Sequence, residues 1–136
     1  MNYYIDVWKK YGQFYGRARR AEYWYFTLFN ALAMIALFVL DIILIDAGGM
    51  EFPIFASGYI LASIIPNLAV TTRRLHDTGK SGWMMLISLI PFGNIVLLVF
   101  MCMDSEPGEN PYGPNPKEPY NEIIDEIGNI DHFRQV

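Results

Sequence analysis

A chain of 136 residues has room for one domain, and only 18% of it is charged, against about 25% in an ordinary soluble protein. Apolar residues make up 53% and the mean hydropathy is +0.21, so their distribution matters more than their sum. No Lys or Arg occurs over residues 23–72, and no charge of either sign over 83–103. The net charge of −4 divides into +3 over residues 1–22, −3 over 23–72, +2 over 73–82 and −6 over 104–136. Segregation of this kind excludes a water-soluble enzyme domain, a basic nucleic-acid binder and a disordered tail protein, and reads as membrane topology.

Along the chain, Tyr4, Trp8, Tyr11 and Tyr15 recur at helical spacing with Val7 and Phe14 beside them, while Lys9, Lys10 and Gln13 face elsewhere. The pattern predicts a short amphipathic helix lying in the headgroup layer, weakened at Gly12. Three apolar segments follow, at about 23–45, 52–72 and 83–103, each long enough for the roughly 20 residues that a bilayer crossing takes. The first contains Asp41, read as close enough to the outer surface to be solvated. The second has Pro53 at its start and Pro66 in its last third. The third holds Pro91, Phe92, Gly93 and Asn94 at its middle, so it is either kinked or re-entrant there. A kinked span is preferred, because the turn of a hairpin would need partners from the other two spans for its backbone groups. The fold expected is an all-α integral membrane protein: an interfacial N-terminal helix plus three apolar segments.

No cleavable leader is expected, and the first span reads as an anchor. Orientation follows from the cations: residues 1–22 carry Lys9, Lys10, Arg17, Arg19 and Arg20, the loop after the first span carries none, and the next carries Arg73, Arg74 and Lys80. The N-terminus and the 73–82 loop are therefore expected in the cytoplasm, and the tail, given a kinked span, outside. Four prolines and two glycines over 104–116 predict a chain of turns. Residues 1–116 form one membrane domain, and 117–136 an acidic extension in which Ile123, Ile124, Ile127 and Ile130 mark a marginal amphipathic helix. The lone Cys102 excludes an intramolecular disulfide.

Three stretches stand out: Phe14-Tyr15-Gly16-Arg17-Ala18-Arg19-Arg20-Ala21-Glu22-Tyr23-Trp24, then Arg73-Arg74-Leu75-His76-Asp77-Thr78-Gly79-Lys80-Ser81-Gly82-Trp83, then Gly108-Glu109-Asn110-Pro111-Tyr112-Gly113-Pro114-Asn115-Pro116. Together they resemble the domain of unknown function 805 family, small bacterial inner membrane proteins of the YhaH type. The resemblance spans roughly residues 3–116 and implies a helical fold in the bacterial inner membrane, with no assigned mechanism.

Arg17, Arg19 and Arg20 stand just before the first span, as topology determinants and phosphate anchors. Arg17, Arg20 and Trp24, if they share a helix face, can hold one anionic headgroup under an aromatic ring. His76 is the one acid/base candidate of the core, but on a helix its neighbour Asp77 points about 100° away. Glu22, Asn30, Asn67, His76 and Asp77 are accordingly read as structural: Arg73 pairs with Glu22, Ser81 caps a helix, and Asn30 and Asn67 share a depth and a face. Neither metal-ligand spacing nor a glycine-rich phosphate loop occurs, so no cofactor or metal is expected.

The leading expectation is a non-enzymatic inner membrane protein that holds anionic lipid or a membrane protein partner through Arg17, Arg19, Arg20, Trp24, Arg73 and Arg74. One alternative is a subunit of an oligomeric transporter or channel, since three segments are too few to enclose a pathway. A second is a lipid-headgroup enzyme using His76. No nucleic acid partner is expected, and homo-oligomerisation is left open.

Overall fold

The computed structural model describes residues 2–117; the helix expected at 120–133 lies outside the described residues. Among the described residues four α-helices occur in chain order: α1 Asn2–Lys9, α2 Arg20–Asp46, α3 Ile54–Asp77 and, after a 3-10 segment Gly82–Leu89, α4 Gly93–Cys102. No strand occurs among the described residues beyond an isolated bridge between Asn110 and Gly113.

Helices α2 and α3 form an antiparallel pair, tied at one end by Arg73 to Glu22 and at the other by Asp41 to the start of α3. Both are long and apolar enough to cross a membrane. Their outward residues, among them Leu32, Ile35, Phe38, Ile43, Leu61 and Ile64, are exposed, as a lipid-facing surface requires.

Asp41 corrects the solvated reading. It is fully buried, and its carboxylate accepts from the Phe55 and Ala56 amides at 3.1 and 2.7 Å. Pro53 precedes α3 and offers no capping side chain, so the orphan N–H groups of the helix take their acceptor from the facing helix, where the macrodipole also favours negative charge.

Helix α1 packs its aromatic side against α2 and α3. Val7 is fully buried with Ala18, Phe26 and Val70, Tyr4 stacks on Phe26 at 5.7 Å, and the Tyr4 and Tyr59 hydroxyls meet at 3.0 Å. Aromatic area and two hydroxyls find protein partners together there, which a headgroup layer does not offer as specifically. Tyr59 also donates to Asn30 Oδ1 at 2.7 Å. Asn67 bonds the Ser63 carbonyl of its own helix at 2.7 Å, so each asparagine is satisfied by a partner other than the second one.

The third apolar segment corrects the kinked-span expectation. It doubles back at Pro91–Phe92, and its two arms, Gly82–Leu89 and Gly93–Cys102, pack on each other. Both ends reach the same end of α3: Gly82 faces Thr72, and the Met101 carbonyl accepts from Arg74. Ten residues of α4 extend only about 15 Å. The turn needs little from other helices because it closes on itself, through Ile90 N–H to Ile87 O at 3.0 Å, Gly93 N–H to Ile90 O at 2.8 Å and Ile95 N–H to Phe92 O at 3.0 Å. Phe92 adopts a left-handed conformation, φ 65°. Gly93 sits so close that a Cβ there would strike the Ile87 carbonyl oxygen.

Candidate functional site

Helix α3 ends at Asp77 in a glycine-terminated turn: Gly79 N–H bonds His76 O at 3.0 Å and Lys80 N–H bonds Leu75 O at 2.9 Å, with Gly79 at φ +72°. These two bonds satisfy the Leu75 and His76 carbonyls at the end of the helix. Ser81 Oγ then accepts from the Trp83 amide at 3.4 Å and opens the 3-10 segment. The last turns of α3 thereby present Arg73, Arg74, His76 and Asp77, all buried, to the segments on either side in sequence.

Asp77 is the centre. Arg17 Nε donates to its Oδ1 at 3.0 Å, Ser105 Oγ donates to Oδ2 at 2.5 Å, and Arg74 Nη1 pairs with the same Oδ2. The side chains of Arg17, Arg74 and Asp77 are 1%, 0% and 0% exposed. Arg17 spends its other donors on carbonyls: Nη2 on Asp77 at 3.2 Å and Glu106 at 2.6 Å, Nη1 on Gly108 at 2.8 Å and Gly113 at 3.4 Å. Arg74 likewise bonds the carbonyls of Met101, at 3.3 Å, and Met103. Two rigid planar forks thus tie the pre-α2 segment, the end of α3, the end of α4 and the following turns into one knot.

Around it, Arg73 Nη1 donates to Glu22 Oε1 at 2.6 Å, with Lys10 4.0 Å from the same oxygen. Asn110 Nδ2 donates to the His76 carbonyl at 2.8 Å, and the Glu106 amide to the Asp77 carbonyl at 2.8 Å. Arg19 bonds the Pro116 carbonyl at 2.7 Å. Lys117, hydrogen-bonded to the exposed Asp104 carboxylate, holds that group below the usual carboxylate range.

The residues expected to bind a headgroup therefore part company. Helix α2 begins at Arg20, so Arg17, Arg20 and Trp24 share no helix face, and the guanidinium groups of Arg17, Arg73 and Arg74 are turned inward. Arg20 is exposed and touches the Cys102 carbonyl through Nη1 at 3.2 Å; Trp24, exposed as well, follows four residues on in the same helix. The Arg73–Glu22 pair and the Ser81 cap form as expected. His76 does not pair with Asp77: its Nδ1 lies 3.1 Å from the Gly16 carbonyl and its ring stacks on Tyr112 at 3.8 Å, 3° from parallel. Ser105 and Tyr112 were missed in sequence, the first for want of any pattern around it, the second because a turn-rich stretch gives no hint of which ring it will cover.

Residues 11–114, which include every side chain of the knot, match a family described as "Protein of unknown function (DUF805)". The chain belongs to that family. Among its relatives is the Escherichia coli K12 protein named "Inner membrane protein YhaI", 47% identical over 118 residues, covering 86% of this chain and 97% of the relative. "Inner membrane protein YhaH" of the same strain is 45% identical over 120 residues, covering 86% and 98%. No solved structure matches the chain. The three stretches that carried the DUF805 resemblance are the three that meet in the knot.

Proposed function

We propose that the chain is a non-enzymatic, multi-pass inner membrane protein that holds anionic lipid at its cytoplasmic rim through Arg20, aided by Arg19 and Trp24. The observation that carries this reading is the division of labour among the five arginines before residue 117: all gather at one end of the α2–α3 pair, the side chains of Arg17, Arg73 and Arg74 are buried, and Arg20 is left exposed at the first turn of an apolar helix. Cations gathered at one end favour a cytoplasmic position for that end. A guanidinium at the start of a membrane helix, near an amphipathic ring, meets the phosphate layer. The inner membrane names of the DUF805 relatives support the location. In this arrangement the N-terminus, the turn after α3 and residues 103–117 lie in the cytoplasm, and the third apolar segment is re-entrant.

Arg20→Ala tests the headgroup site without disturbing the knot. Native mass spectra of the variant should show about fivefold weaker retention of phosphatidylglycerol, one exposed cation being worth about 1 kcal/mol at an anionic surface. Raised salt should reproduce part of that loss, since such attraction is screened over about 8 Å at physiological ionic strength. Equal retention by both proteins would contradict the reading.

A further inference from the structure

Between α3 and the 3-10 segment lies a cleft of about 510 Å³, with Leu68, Met85 and Leu86 along its apolar part and Thr72, His76 and Ser81 at its polar end. None of the buried arginines lines it. The outer wall is unusually open: Trp83 is 78% exposed, and Leu68 and Leu86 are exposed as well. These continue into the exposed Ile64, Ile65 and Leu89 of the apolar belt. Given the membrane placement proposed above, the mouth of the cleft opens sideways into the bilayer and its closed end lies at the cytoplasmic boundary.

The chemistry of that end is set by His76. Gly16 O, 3.1 Å from Nδ1, is a carbonyl and can only accept, so the ring proton sits on Nδ1. In the neutral imidazole this leaves Nε2 as a lone-pair acceptor. Stacking on Tyr112 fixes the ring plane. Nε2 has no hydrogen-bond partner among the described residues and borders the space beside Gly82, where a Cβ would stand 3.5 Å from Nε2 and 2.6 Å from Thr72 Cγ2. A glycine there keeps the edge of the ring open to the cleft. An oriented acceptor at the end of an apolar groove selects a hydrogen-bond donor at the polar end of a lipid whose hydrocarbon part fills the groove, and its lone pair repels phosphate oxygens.

We propose that this cleft binds an uncharged lipid bearing a hydroxyl group, which donates to His76 Nε2 while its chain runs along Leu68 and Leu86 into the bilayer. The site is separate from the anionic headgroup contact at Arg20 and does not depend on it. The shared chemistry, an O–H at the polar end of an uncharged lipid, occurs in diacylglycerols and in long-chain hydroquinones; each has a counterpart of similar shape without the donor, the diacylglycerol acetylated at that hydroxyl and the oxidised quinone.

The full chain in nanodiscs of a defined phosphatidylcholine is titrated with each of the four probes, reading Trp83 fluorescence in a background where Trp8 and Trp24 are Phe. One of the two hydroxylated probes should bind about tenfold more tightly than its blocked counterpart, the worth of one hydrogen bond to an otherwise unpaired acceptor. Which one does so identifies the source. His76→Asn keeps a donor for Gly16 O but removes the Nε2 acceptor, and should abolish the preference. Gly82→Ala leaves every bond of His76 in place, crowds the cleft beside Nε2 and should weaken the same probe about tenfold; it keeps the test decisive if His76→Asn does not fold. The proposal is overturned if no probe is preferred to its blocked form, or if Gly82→Ala binds as wild type does. Loss of phosphatidylglycerol retention in Arg20→Ala with the probe preference intact would be expected, since the two sites are independent.

Discussion

At the residue scale, Asp77 carries more than any other side chain. Its carboxylate answers two buried guanidinium groups and a hydroxyl, and a buried charge that loses its counter-charge is costly in a way that an exposed one is not. Asp77→Asn keeps the shape and part of the hydrogen bonding but leaves Arg17 and Arg74 uncompensated. It should destabilise the protein by roughly 3–5 kcal/mol, measured as a lowered midpoint of thermal unfolding in detergent. A change below about 1 kcal/mol, the range of an exposed pair, would show that water reaches the knot. The sequence made the Glu22–Arg73 pair legible because an acid at the start of the first predicted span and a base at the end of the second fall at the same end of two spans of similar length. Asp77 was harder to read. With His76 beside it, it invited a catalytic or a turn reading, and its partners Arg17 and Ser105 lie 60 and 28 positions away. Asp41 was misjudged for a related reason: no outer Lys or Arg exists to pair it, yet a helix N-terminus serves as a cation with no basic residue present.

At the scale of elements, the helix–helix hairpin of α2 and α3 was legible from apolar runs free of Lys and Arg, with cations confined to one side. The course of residues 83–103 was not. Their length matches one bilayer crossing, and only the proline and glycine at the middle argued otherwise. The balance turned on whether the turn could satisfy its own backbone, and the bonds to the Ile87, Ile90 and Phe92 carbonyls supply three of its amides from within the turn. Gly93 is the position where this arrangement is least tolerant, since a side chain there meets backbone rather than a flexible group. Gly93→Ala should cost about 1–3 kcal/mol through overpacking. In a single kinked helix the same substitution would be neutral or stabilising, by up to about 1 kcal/mol from helix propensity. The sign of the change in unfolding midpoint therefore separates the two.

At the scale of the whole molecule, the three stretches shared with the DUF805 family are far apart in sequence and converge because the hairpin returns the chain to where it began. Arg17 reaches carbonyls of Glu106, Gly108 and Gly113, contacts that require the segment before α2 and the segment after α4 to lie on one side of the membrane. This common side is the central claim, since the rim, the cleft and the tail are all placed by it. The most direct test fuses a reporter that fluoresces only in the cytoplasm, and separately one that is active only in the periplasm, first to the N-terminus and then after residue 117. Both positions should give fluorescence and no periplasmic activity. Cytoplasmic signal at the N-terminus together with periplasmic activity after residue 117 would contradict the account.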